Sequence, residues 1–129
     1  MRRRKLLIAD DSEMNRAILA NVLDQEFEVI EATNGKEVII ALQSYGTQIS
    51  ALLLDIVMPE MDGFEVLEEM NRRHWIEDIP TIMISAETSN TYIDRAFELG
   101  ASDYISRPFV PGIVRRRIIN TILLHTKKH

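Results

Sequence analysis

Five polar residues fall where short apolar runs stop. Leu6-Leu-Ile-Ala9 runs into Asp10 and Asp11, Ala51-Leu-Leu-Leu54 into Asp55, and Thr81-Ile-Met-Ile84 into Ser85, while Arg107 follows Tyr104-Ile105. Three carboxylates gathered at one place repel one another and call for a cation among them. Ligands that offer only oxygen favour a hard ion such as Mg²⁺. A cation held by carboxylates, with a hydroxyl and a fixed positive charge opposite, suits a phosphoryl group. In such a set Asp55 is the candidate nucleophile, because a carboxylate can accept a phosphoryl group as an acyl phosphate. A lone aspartate after a strand can equally just cap a loop. The case for chemistry is that the whole set sits where runs end.

That case requires the runs to be strands of one sheet. Each is short and apolar without alternation, as strands buried on both faces are, although periodicity alone does not exclude a buried helix. Pro59 and Gly63 close the Asp55 run within a few residues, which favours a strand. Glu28 to Ala32 reads as a further strand and Tyr104-Ile105 as a short fifth one.

Helical signals alternate with these runs. Ser12 can cap a helix whose face is marked by Met14, Ile18, Val22 and Leu23. Asn34 with Glu37 resembles a capping box, followed by Val38, Ile39, Ala41 and Leu42. Asp62 with Glu65 opens a helix through about Met70, with Phe64, Val66, Leu67 and Met70 as packing residues. Ile93, Ala96 and Phe97 have helical spacing, and Gly100 suits the position past a helix end. A last helix starts near Val110, with Pro111 in its first turn. Five strands alternating with five helices predict an α/β fold, a doubly wound parallel sheet covered on both faces with right-handed crossovers. Its strand ends share one edge, where such sheets bind ligands.

The rest of the composition narrows the function. A chain of 129 residues with 46% apolar content reads as one domain, residues 1–129, with a real core. A net charge of −5 argues against nucleic acid as a direct partner. With no cysteine, disulfides and thiolate metal sites are excluded, which is compatible with a cytoplasmic location. Arg2 to Lys5 precedes only four apolar residues, too few for a signal-peptide core, and that basic run is too short for a nucleic-acid arm. No apolar run approaches the roughly 20 residues that span a bilayer, so no membrane association is expected.

Taken together, Asp10-Asp11, Asp55 with Met58-Pro-Glu-Met-Asp-Gly63, Ser85-Ala86, Gly100-Ala-Ser-Asp-Tyr104 and Pro108-Phe109 resemble the receiver domain of two-component response regulators. The resemblance covers nearly the whole chain. It implies the flavodoxin-like receiver fold with strand order 2-1-3-4-5. It implies that Asp55 takes a phosphoryl group from a phosphohistidine on a sensor histidine kinase or a histidine phosphotransfer protein, and that the domain assists its own phosphorylation and slow dephosphorylation. Asp10, Asp11 and Asp55 would bind Mg²⁺, with the backbone carbonyl of Val57 as a further ligand. Ser85 would move to bond the phosphate, Tyr104 would turn inward behind it, and the surface of the fourth helix, fifth strand and fifth helix would switch. The resemblance also implies a cis Arg107–Pro108 bond.

One departure stands out. Where the family usually has lysine before Pro-Phe, this chain has Arg107, a longer, planar, always charged group. The expectation is that its guanidinium pairs with a carboxylate on the Asp55 side through two parallel hydrogen bonds. A phosphate-independent binding module on the same fold is the alternative, but every acidic residue needed for the chemistry is present. A haloacid-dehalogenase-type phosphatase would want a second aspartate two residues after the nucleophile, where Val57 stands. A flavodoxin would want a phosphate loop that Asp10-Asp-Ser-Glu13 would instead repel.

Other residues read blandly. His74, His125 and His129 lie in a loop and a tail without mutual spacing and read as solvated. Trp75 anchors a loop against the core, and Arg115-Arg-Arg117 is a solvated helix face. The last helix is less bland. Ile118 and Ile122 suffice for a sheet-facing stripe, which leaves Ile119 and Leu123 one step round with surface for a partner. A homodimer through the fifth helix or an output domain would each cover it. Pro108 to Asn120 is similar to receivers joined to cyclic-dinucleotide enzymes, so the chain could be the receiver of such a larger regulator.

Overall fold

The computed structural model describes residues 3–128. Arg2, part of the basic run, and His129 lie outside the described residues. Five strands, β1 (Arg4–Ala9), β2 (Phe27–Ala32), β3 (Ile49–Leu54), β4 (Thr81–Ser85) and β5 (Asp103–Ser106), pair in parallel in the order β2-β1-β3-β4-β5. The helices between and after them are α1 (Glu13–Leu23), α2 (Gly35–Tyr45), α3 (Gly63–Arg72), α4 (Asn90–Glu98) and α5 (Pro111–Lys128). A 3₁₀ turn, Gly46–Gln48, joins α2 to β3.

Side chains of a strand alternate between faces, and that alternation splits the core in two. Leu7, Ala9, Leu52, Leu54 and Met83 pack with Val38 and Leu42 of α2, Val66, Leu67 and Met70 of α3, and Ala96 of α4. Leu6, Ile8, Ala51, Leu53, Ile82, Ile84 and Ile105 face the other way, onto Leu19 and Leu23 of α1 and Val114, Ile118 and Ile122 of α5. The runs carry no polar alternation because both faces are covered.

Three helices depart from the expected stripe. In α1 the buried pair is Leu19 and Leu23, whereas Met14 is 72% and Ile18 41% exposed. Leu19 and Leu23 are four apart and share one face, and Met14 and Ile18 point away from it. In α4 Ala96 is buried and Ile93 packs against the core, but Phe97 is left exposed. In α5 Ile119 is packed against the core rather than free, and the exposed apolar residues are Ile113, Leu123 and Leu124.

The helix ends follow local chemistry. Asp62 and Glu65 form a complete capping box at α3. At α2 only half of one forms: the Asn34 side chain accepts from the Glu37 amide, while the Glu37 carboxylate accepts from the Thr33 amide and hydroxyl instead. Helix α4 ends in a Schellman motif, with Gly100 N–H donating to Phe97 O and Ala101 N–H to Ala96 O, and Gly100 has the positive φ of 102° this needs. Helix α3 ends the same way around His74, whose φ is 61°. Trp75 follows it, packs against the core and lies under the Arg73 guanidinium, so its anchoring role has a local cause. His74 is exposed and makes a helix terminus rather than a ligand set.

Candidate functional site

Backbone bonds that continue the sheet beyond its strands set the heights of the site residues. Asp10 N–H donates to Ala32 O at 3.1 Å, Asp55 N–H to Ala9 O at 3.0 Å, and Arg107 N–H to Ser85 O at 2.9 Å. Asp10 after β1, Asp55 after β3 and Arg107 after β5 are thereby held at one edge of the sheet. Opposite them, α3 must start close against β3. Gly63 allows this: a Cβ there would lie 2.5 Å from the Asp55 carbonyl oxygen and 2.8 Å from the Ile56 Cα, closer than packed atoms tolerate.

Asp10, Asp11 and Asp55 each bring one carboxylate oxygen within 4.8 Å of the others. Asp10 and Asp55 are buried and Asp11 is exposed. Asp10 is fixed from both sides. Its Oδ1 accepts from the Ser12 amide at 2.9 Å and its Oδ2 accepts from Arg107 Nη2. The other Arg107 terminal nitrogen lies 3.6 Å from Asp55 Oδ2. The guanidinium therefore spans two carboxylates, with its direct bond to Asp10, and does not make the expected parallel pair with one carboxylate. The reason is position: Arg107 follows β5, β3 lies between β5 and β1, and the longer arginine reaches past Asp55 to Asp10. The Arg107–Pro108 bond is cis, as the resemblance implies.

Burial pushes the Asp55 carboxyl up from its ordinary 3.8 to about 6; the Arg107 guanidinium opposes that rise, the Asp10 charge adds to it, and the amides of Val57 and Ile56 oppose it. Ionising Asp55 is thus harder in the folded chain than in the unfolded one. With divalent cations chelated, the Asp55 contribution to stability is best near pH 4 and falls as pH rises to about 6, where the folded group ionises. Asp55→Asn should be more stable than wild type by about 1–2 kcal/mol at pH 7, after allowance for solvent screening. The difference should vanish toward pH 4. Urea melts across that range check it, and a variant less stable than wild type at pH 7 would refute it.

Ser85 is fully buried at the end of β4, and its Oγ accepts from the Glu87 amide at 3.2 Å. Tyr104 is already turned inward: its ring is buried and its hydroxyl donates to the Glu87 carbonyl at 2.6 Å. Desolvation raises the Tyr104 phenol above its ordinary value, with the Ser85 hydroxyl opposing. Both residues therefore hold the segment between β4 and α4. Val57 is exposed and offers its amide to Asp55.

One site residue was not foreseen. Arg16 of α1 donates from Nη1 to the Asp10 carbonyl at 2.7 Å and from Nε to Glu31 at 2.9 Å, tying α1 to the ends of β1 and β2. Its signal in the sequence is a cation near a helix N-terminus, where the macrodipole disfavours it unless something else holds it.

A family model described as the response regulator receiver domain matches residues 6–119. The chain belongs to that family. This receiver is 40% identical over 114 residues to Response regulator RR06 of Streptococcus pneumoniae serotype 2, a match covering 88% of the chain and 50% of RR06. It is 33% identical to the two-component response regulator ORR5 of Oryza sativa subsp. japonica, covering 86% of the chain and 83% of ORR5. Its fold is that of a CheY-like receiver domain protein from Methanospirillum hungatei, with a TM-score of 0.89 at 23% identity over 98% of this chain and 99% of that one. The receiver thus spans about half the length of RR06 and most of ORR5. Among the described residues no helix is long and apolar enough to cross a membrane.

Proposed function

We propose that this receiver accepts a phosphoryl group on Asp55 from a phosphohistidine, carried by a sensor histidine kinase or a histidine phosphotransfer protein on the cytoplasmic side. The observation that supports it is the convergence of Asp10, Asp11 and Asp55 within 4.8 Å at the end of the sheet, with Arg107 against them. Three carboxylates supplying only oxygen fit a hard divalent cation such as Mg²⁺, held by Asp10, Asp11, Asp55 and the carbonyl of Val57. When bound, the cation neutralises charge on the carboxylates and the incoming phosphoryl oxygens.

In the transfer, an Asp55 carboxylate oxygen forms the new bond to phosphorus while the bond from phosphorus to the histidine nitrogen breaks. That nitrogen leaves with the electron pair, and the ring, protonated on its other nitrogen before transfer, departs as neutral imidazole. Raising the Asp55 carboxyl to about 6 leaves it ionised and nucleophilic at neutral pH, and more basic than an ordinary aspartate. Arg107 supplies a fixed positive charge, and the Ser85 hydroxyl lies at the end of the adjacent strand. Slow loss of the phosphoryl group to water returns the resting state. The surface of α4, β5 and α5 is where Ser85 and Tyr104 would be read out.

A partner beyond the donor is also proposed, since Leu123 and Leu124 of α5 are 50% and 61% exposed. A homodimer through α5 or an output domain, including one with cyclic-dinucleotide chemistry, would cover them.

Thermal melts with and without millimolar Mg²⁺ test the metal reading. Wild type should gain stability by linkage, and Asp10→Asn should gain little. Equal gains in both, or none in wild type, would count against it. Adding beryllofluoride should then stabilise wild type further and leave Asp55→Asn unchanged.

A further inference from the structure

We propose that Arg107 is the resting counter-ion of the carboxylate cluster, and that a divalent cation must displace it from Asp10 in order to bind. This rests on the metal reading above. Three observations carry it. Arg107 Nη2 is bonded to Asp10 Oδ2, whose partner oxygen already holds the Ser12 amide, so each Asp10 oxygen already has a partner in this state and the outward one is held by a cation. The other terminal nitrogen of Arg107 faces Asp55, so one guanidinium bridges the two buried members of the cluster. Arg107 Nε is buried and donates to no acceptor among the described residues.

A part-buried cation near two carboxylates lowers their mutual repulsion, which is the service a metal ion would perform. The resting site is thereby neutralised from within. A divalent cation that takes Asp10 meets a charge-assisted bond rather than a free carboxylate. Lysine would not reproduce the arrangement, because its compact ammonium on a shorter side chain lacks the two separated terminal nitrogens with which Arg107 faces Asp10 and Asp55. Once displaced, the guanidinium has three nitrogens without a carboxylate, including the Nε that the resting state leaves unused. The same side chain then becomes available to phosphoryl oxygens next to Asp55. The bond from Asp10 to Arg107 thus acts as a latch that couples cation entry to release of the arginine.

Titration calorimetry with MgCl₂ alone, on the full chain without phosphodonor, tests the latch in wild type, Arg107→Lys, Arg107→Gln and Asp10→Asn. Arg107→Lys keeps the charge and loses the bridge, so it should bind Mg²⁺ several-fold tighter than wild type. Arg107→Gln loses both and should bind about tenfold tighter or more, the size expected when one charge-assisted bond no longer competes. Equal affinity in wild type and Arg107→Lys, with only Arg107→Gln tighter, would mean that net charge alone matters and would overturn the latch while leaving the metal site standing. Equal affinity in all three would overturn it as well. No binding by any chain would remove the metal reading and the latch together. Should Arg107→Gln not fold, the comparison of wild type with Arg107→Lys alone decides.

Discussion

Treated with Mg²⁺ and a small phosphodonor, wild type should gain one acyl phosphate and Asp55→Asn none. Three carboxylates compete for that role, and their surroundings differ. Asp10 is held by the Ser12 amide at one oxygen and by Arg107 at the other, so attack through either oxygen would disturb a contact already made. Asp11 is exposed, where water competes for the phosphoryl group. Asp55 is buried, lies at the middle strand of the edge, and has a carboxyl raised to about 6. A raised value means a better nucleophile that is still ionised at neutral pH. Asparagine keeps the shape of the side chain but cannot form a stable acyl phosphate, so the expected loss is complete. Mass spectrometry of the intact chain and of its peptides provides the check. Phosphate retained on Asp11 in the variant, or found on any histidine, would refute the assignment.

Much of this was legible in the residues because the constraints are local. A strand covered on both faces must be apolar throughout, so Leu6–Ala9 and Ala51–Leu54 were readable, and so was the point at which each gives way to aspartate. Caps at Ser12, Asn34 and Asp62 were readable because a side chain bonds an amide three residues on. What could not be read was orientation between elements. Helix α1 carries apolar residues on two faces, and only the position of the sheet selects Leu19 and Leu23 over Met14 and Ile18. Two of the three consecutive arginines in α5 are likewise engaged, Arg115 with Glu26 and Arg117 with Asp103, partners 89 residues away in one case. Arg107 is the sharpest instance. Its charge and its place after β5 follow from sequence, but whether it meets Asp10 or Asp55 depends on how β1, β3 and β5 are placed relative to one another. Arg16 escaped for the same reason, since its partners are the backbone carbonyl of Asp10, just past β1, and Glu31 of β2.

The same geometry bears on how long the phosphorylated state lasts. Arg107→Lys should shorten its lifetime. In the resting chain the guanidinium divides its contacts between Asp10 and Asp55. A phosphoryl group on Asp55 carries more charge than the carboxylate it replaces and offers several oxygens. It therefore draws the guanidinium more strongly than either resting partner, and a planar fork can hold two of its oxygens at once. Lysine presents one compact ammonium and loses the planar two-nitrogen contact. One charge-assisted hydrogen bond is worth roughly 1.5–3 kcal/mol, so losing it should speed dephosphorylation about tenfold or more. The comparison is the decay of phosphorylated wild type and Arg107→Lys at one pH, with Mg²⁺ saturating for both chains. Saturation matters because the lysine variant is expected to bind the cation more tightly, and any difference in occupancy would otherwise enter the rate. A lifetime unchanged or lengthened in the lysine variant would show that Arg107 serves the resting carboxylates and not the phosphoryl group.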